Sequence, residues 1–280
     1  LLFGGCNLRA PLLRNRYRER WADLDWNDVP TGYTMAGPRF ATHTLNEMLQ
    51  AIDCYRGDAR IPEPYYFLCN MKSDTAPTPA NDPLERADAA IAEPNTSHEI
   101  ILDGVYINRR PVLQLLISLR EAAPEAKHLT SRWFEKGLVA MDEDARRTSA
   151  QELLRMIPDG FPRQELLTAV LSRARGAKTD PRIGLRRLAG ALNCPLGVVA
   201  FTWAYMPDGR ALSWPAEFYR ETLDAAAELG LPVFEPRYVV QQAGTPFALE
   251  SDLRHYTNRF MPVIARPIVE FMLSVASGAR

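Results

Sequence analysis

Leu-Leu-Phe-Gly-Gly-Cys-Asn-Leu-Arg-Ala-Pro-Leu-Leu (residues 1–13) is the stretch on which the fold turns. Three apolar residues run into a glycine pair, a thiol and an asparagine. An amphipathic stretch follows, with Leu8, Leu12, Leu13, Tyr17 and Trp21 at roughly helical spacing. The pattern predicts a buried strand that turns tightly into a helix, and glycine permits the turn. A helix N-terminus offers unpaired N–H groups and the positive end of the dipole, which favours a thiolate. Cys6 is therefore a candidate nucleophile; on these residues alone, a small buried core thiol is the alternative.

Working outward, strand and helix patterns alternate. A short extended segment is expected near Thr31–Met35, and a helix where Leu45, Met48, Leu49 and Ile52 recur. Residues 60–84 hold Pro62, Pro64, Pro77, Pro79 and Pro83 around the apolar patch Tyr65–Cys69, a loop-rich excursion with room for a short hairpin. Ala87–Glu93 reads as a strand stopped by Pro94-Asn95. From about Arg110 to Asn193 the pattern is mainly helical, broken at Pro124, Pro158–Pro162 and Pro181. Gly197–Trp203 and Leu231–Phe234 read as strands, and Glu217–Leu229 and the stretch from Phe260 to Val275 as helices. Such alternation predicts a mostly parallel sheet covered by helices on both faces, with ligands at the carboxyl ends of the strands. Cys6 and Asn95 would then share one rim.

Composition narrows the class. The chain has 280 residues, 46% of them hydrophobic, and a formal net charge of −1, so it can bury a large core and has no global charge case for nucleic acid. No apolar run approaches the roughly eighteen residues of a membrane span. The four cysteines show no CxxC spacing and the four histidines no metal-ligand spacing. Free thiols fit a reducing compartment, so a cytoplasmic location is the expectation. The chain carries no initiating Met, which leaves a preceding segment open.

A thiol nucleophile needs a base and the base an orienting group. Glu250-Ser-Asp-Leu-Arg-His-Tyr256 supplies both: Asp252 and His255, spaced i,i+3 just before the last helix, can turn to one side of a single turn. Taken with Gly4-Gly5-Cys6, this resembles the SGNH/GDSL hydrolase superfamily. The resemblance implies a three-layer flavodoxin-like α/β fold with a five-stranded, mostly parallel sheet, the nucleophile after the first strand and an Asp-x-x-His before the last helix. Cysteine at the serine position is similar to the branch named for its Gly-Ser-Cys-Phe-Ala motif and to cysteine-bearing relatives tied to polysaccharide biosynthesis. The family's third block matches only at Asn95, and Gly37 in Met35-Ala36-Gly37-Pro38 corresponds to the second. The implied roles are Cys6 as nucleophile, His255 as base and Asp252 as its partner. The Cys6 N–H, Asn95 and Gly37 would hold the oxyanion.

The expected organisation is one α/β domain over 1–280 with a helical insertion, or lid, at 110–196. A thioester on Cys6 is energetically close to an acyl-CoA. The expected activity is therefore acyl transfer from coenzyme A, bound only as a substrate, to a saccharide or other small acceptor. Hydrolysis of an acyl ester or thioester is one alternative and a non-catalytic binding module another. Within the insertion Arg173, Arg175, Arg182, Arg186 and Arg187 form a basic set with few acidic neighbours, a candidate anchor for phosphates or an anionic sugar. A solvated helix face accounts for it as simply. Trp133, Trp203, Tyr205 and Trp214 are candidates for stacking on sugar rings or for core packing.

Overall fold

The computed structural model describes residues 1–4, 8, 11–12, 42–71, 76–201, 216–252 and 255–278. Four short strands, β1 (Leu2–Gly4), β2 (Ala90–Glu93), β6 (Leu196–Val199) and β7 (Val233–Phe234), form an all-parallel sheet in the order β1-β2-β6-β7. Leu2 pairs with Ile91, Ile91 with Gly197 and Val198 with Val233. β1, β2 and β6 are almost wholly apolar and buried on both faces, as parallel strands are, while Val233 and Phe234 of the edge strand β7 are half-buried. Successive side chains alternate between two cores. Leu2, Ile91 and Val199 pack under the last helix, Met261–Ala276, and the helix Pro236–Ala243. Phe3, Ala92 and Val198 pack under the helices Leu45–Arg56 and Pro181–Gly190, with Ala225 and Ala226 of the helix Ala216–Glu228. The parallel α/β expectation therefore stands, with a correction: the parallel sheet has four strands among the described residues, not five. The strand expected near Thr31–Met35 lies outside those residues.

A second sheet was not anticipated. β3 (His98–Leu102), β4 (Val105–Ile107) and β5 (Arg175–Lys178) pair antiparallel in the order β4-β3-β5. Asp103 and Gly104, both at positive φ (50° and 82°), make the two-residue β3–β4 turn. Asp-Gly is a favoured pair for that geometry. The described residues of 60–84 form short 3₁₀ turns, with no hairpin among them, and Leu68 and Cys69 from this excursion are buried in the core of the insertion.

That core is separate from the two that flank the parallel sheet. It gathers Leu102 and Ile107 of the hairpin, Leu116 and Leu119 of the helix Arg109–Ala122, Leu171 of the helix Gln164–Arg173, and Trp133 with Phe134 from a π-helix, Arg132–Val139. Trp133 is fully buried, so it packs rather than presenting a stacking face. The span expected at 110–196 as a helical insertion is thus more varied. It includes β5, and its last helix, Pro181–Gly190, lies on the main sheet and leads to β6.

β5 crosses the π-helix so closely that a Cβ on Gly176 would stand 1.9 Å from the Leu138 carbonyl oxygen. Backbone cannot yield as a side-chain tip can. Gly176→Ala is expected to destabilise the protein by about 3 kcal/mol or more, read as a lowered denaturation midpoint. Gly104→Ala, with nothing within 4 Å, should cost less, only the strain of its positive φ.

Candidate functional site

The carboxyl ends of β1 and β2 and the entry to the helix Leu45–Arg56 meet at one rim. The Thr42 N–H donates to the Gly4 carbonyl (3.3 Å) and the Asn95 N–H to the His43 carbonyl (2.8 Å). Across the same end, the Leu8 N–H donates to Oε2 of Glu93 (3.1 Å), a fully buried carboxyl at the last position of β2. Cys6 falls in sequence between Gly4 and Leu8, and it and Gly37 lie outside the described residues. Asn95 is half-buried, and its Oδ1 is buried without a hydrogen-bond partner among the described residues.

Asp252 and His255 do come together. Leu249 and Tyr256 form an antiparallel bridge, and the Glu250 N–H donates to the His255 carbonyl (2.8 Å), so the intervening residues close a tight turn. Within it Asp252 Oδ2 lies 2.5 Å from His255 Nδ1, and Asp252 Oδ1 accepts the His255 N–H at 3.1 Å. Both carboxylate oxygens therefore hold one histidine. His255 Nε2 has no hydrogen-bond partner among the described residues, and both side chains are about half exposed. Leu249, Tyr256 and Phe260 anchor the turn in the core that also holds Leu2, Leu8 and Leu12. The pair thus rests on the same apolar group as the segments on either side of Cys6.

The arginines disperse. Arg173 pairs with Asp103 (3.1 Å), while Arg182 (3.0 Å) and Arg186 (3.8 Å) share Glu228. Arg187 donates to Asn46 Oδ1 (3.1 Å), and Arg175 is exposed on β5. Trp203, Tyr205 and Trp214 lie outside the described residues. No group of three or more His, Cys, Asp or Glu among the described residues is placed to hold a metal ion, and no described helix is long and apolar enough to cross a membrane.

Two polar networks that sequence reasoning missed knit the rim to the insertion. In the first, Asn46 Nδ2 donates to Glu99 Oε2 (3.0 Å) and Thr179 Oγ1 (2.9 Å), and the Thr179 hydroxyl donates to Glu99 (2.8 Å). In the second, Glu47 Oε2 accepts the His43 N–H (2.9 Å) and an Asn108 Nδ2 hydrogen (3.1 Å). Thr44-Leu45-Asn46-Glu47 carries a recognisable signal, the S/T-x-x-E capping box, and Thr44 Oγ1 does accept the Glu47 N–H. Burial pushes the Glu47 carboxyl up to about 8 and, with Arg110 nearby, pulls the His43 imidazole down to about 4.

A carboxyl that titrates near 4.5 unfolded and near 8 folded keeps its proton in the native state while the unfolded chain has lost its own. Its contribution to stability therefore falls as pH rises from about 4.5 to about 8 and is level above that. Glu47→Gln, which keeps both accepted hydrogen bonds without the titration, is expected to be more stable than wild type at pH 8. The gap should shrink by pH 5, as read by thermal unfolding across pH.

Residues 1–271 match the family model of the TviD N-terminal domain, and the chain belongs to that family. The match supports the expected link with polysaccharide biosynthesis and gives no support to an SGNH/GDSL assignment. No match was found among curated proteins or among solved structures.

Proposed function

We propose that this TviD N-terminal domain transfers an acyl group through a thioester on Cys6, from an acyl-CoA to a saccharide or other small hydroxyl acceptor. The observation that carries the reading is the Asp252–His255 pair, both carboxylate oxygens on one histidine, set on the core that flanks the Cys6 segment. His255 Nε2 takes the thiol proton, and the sulfur attacks the acyl carbonyl. The tetrahedral oxyanion is held by donors at the rim, Asn95 among them, with the Cys6 and Gly37 N–H groups in the roles that the SGNH-like arrangement implies. The proton on His255 leaves with the coenzyme A sulfur. The acceptor hydroxyl then gives its proton to His255 and attacks the thioester, which restores the Cys6 thiol.

The path of the insertion favours transfer over hydrolysis. Chain leaves the carboxyl end of β2 at Glu93, returns at Thr179, and enters the helix Pro181–Gly190 at the same end. A mass of some eighty residues is thereby tied to the rim where water must be kept from a thioester. Arg187 bonds Asn46, which in turn bonds Thr179, and Arg175 stands on β5; both act electrostatically on Tyr106 of β4. They are the anchors to test against a phosphorylated donor. Intact mass after incubation with a panel of acyl-CoAs and activated esters tests the reading. An adduct on Cys6 that discharges to a sugar acceptor faster than to water supports transfer. Discharge to water alone supports the esterase or thioesterase reading, and the absence of any adduct refutes both.

A further inference from the structure

His43 was not singled out by its sequence context, yet its surroundings fix its chemistry. It stands between two contacts with the rim: the preceding residue, Thr42, donates to the last carbonyl of β1, and the His43 carbonyl itself receives the Asn95 N–H. Its ring faces Asn108, whose amide orientation is not arbitrary. Asn108 Oδ1 accepts the Arg110 N–H (3.0 Å) as the cap of the helix Arg109–Ala122. The other end of the amide, Nδ2, therefore points away from the helix, with one hydrogen for Glu47 Oε2 (3.1 Å) and one for His43 Nδ1 (3.0 Å). A nitrogen that receives a hydrogen bond carries no proton, so in the neutral ring the proton sits on Nε2. Nε2 has no hydrogen-bond partner among the described residues, and the residue is only half-buried.

The ring also stays neutral. Burial comes first in keeping it so, and the charges of Arg110 and Arg109, at the start of the neighbouring helix, add to it. The Glu47 carboxyl, which takes the His43 main-chain N–H, itself holds its proton to about pH 8 and so adds little negative charge near neutrality. A neutral imidazole with a preset N–H donates a hydrogen bond without becoming an acid that must be recharged each cycle. That is the property wanted where negative charge develops on a carbonyl oxygen.

We infer that His43 is a catalytic hydrogen-bond donor at this rim, its Nε2–H directed beside Asn95 to the acyl carbonyl oxygen that becomes the oxyanion. The inference rests on the acyl-transfer reading above. No proton is transferred in this role. As sulfur adds to the carbonyl carbon, the π electrons move to oxygen and the N–H bond to it shortens; on collapse they return. His43 and His255 thus divide the work, one holding charge and the other moving protons.

Two measurements test it. The first is independent of activity: ring-nitrogen NMR of ¹⁵N-histidine-labelled protein should show His43 neutral with its proton on Nε2 from pH 7 down to about 5, whereas an Nδ1–H ring or an imidazolium at pH 6 overturns the assignment. The second is single-turnover acylation of Cys6 by p-nitrophenyl acetate. His43→Ala and His43→Phe, the latter filling the space without a donor, should slow acylation about a hundredfold with little change in KM. His43→Gln, which retains an N–H donor, should recover a large part of the rate. Wild-type rates in the Ala and Phe variants overturn the role while leaving acyl transfer on Cys6 intact. No Cys6 adduct in the wild type overturns the function and this role with it.

Discussion

Cys6→Ala is expected to abolish the covalent acyl adduct altogether, with the thermal midpoint little changed. The reason lies partly in the other thiols. Cys69 is buried and its thiol is pushed well up, first by burial and then by Glu47; Cys54 is pushed up to about 11, chiefly by burial; and Cys194, half-buried, is raised for the same reason. A thiol that resists ionisation is a poor nucleophile near neutral pH, so none of the three can stand in for Cys6. Intact mass after treatment with acetyl-CoA or p-nitrophenyl acetate should therefore show one adduct in the wild type and none in the variant. Cys6→Ser should retain little activity, because a hydroxyl needs more help from its base than a thiol does. Undiminished turnover in Cys6→Ala would remove Cys6 from the mechanism.

The second large effect concerns His255. His255→Ala should lower the acylation rate about a thousandfold, the middle of what a positioned general base supplies. Asp252→Ala should cost less, about tenfold to a hundredfold, because the pair is about half exposed and water screens the carboxylate's hold on the imidazolium. Raising the pH should rescue His255→Ala in part, since a thiolate formed by bulk base no longer needs the imidazole. A larger loss in Asp252→Ala than in His255→Ala would reverse the assigned roles.

How far residues alone carry the fold depends on what kind of force holds each element. The parallel strands were legible because the code is a plain apolar run, buried on both faces in β1, β2 and β6: Ala87–Glu93 shortens to Ala90–Glu93, and Leu231–Phe234 to Val233–Phe234. The helices at 45–56, 216–228 and 261–276 were legible by their apolar stripes. β5 was not, because Arg-Gly-Ala-Lys has almost no apolar content and is held by backbone pairing to β3. β3 and β4 were hidden differently. Their Asp103-Gly104 turn is a strong local signal, but it stands directly beside the long helical pattern that begins at Arg109. At the site, the Asp252–His255 contact was legible from i,i+3 spacing alone, since one turn settles it. The networks through Asn46, Glu99 and Thr179, and through His43, Glu47 and Asn108, join residues as far as 133 apart in sequence. Nothing local announces such partners.

The insertion departs and returns at a single spot: His98, the first residue of β3, is the register partner of Lys178, the last of β5. Its ends are therefore closed on each other before the chain re-enters the parallel sheet. To β2 and β6 the whole excursion weighs no more than a short loop, because closure entropy grows only with the logarithm of what lies between the ends. With a core that it shares with residues between 51 and 76 but not with the parallel strands, the excursion can lengthen, shrink or be rebuilt without disturbing the register of Ile91 with Gly197. Selection can thus remodel the excursion while the parallel strands stay fixed, so relatives are expected to diverge most in size between Ile91 and Gly197.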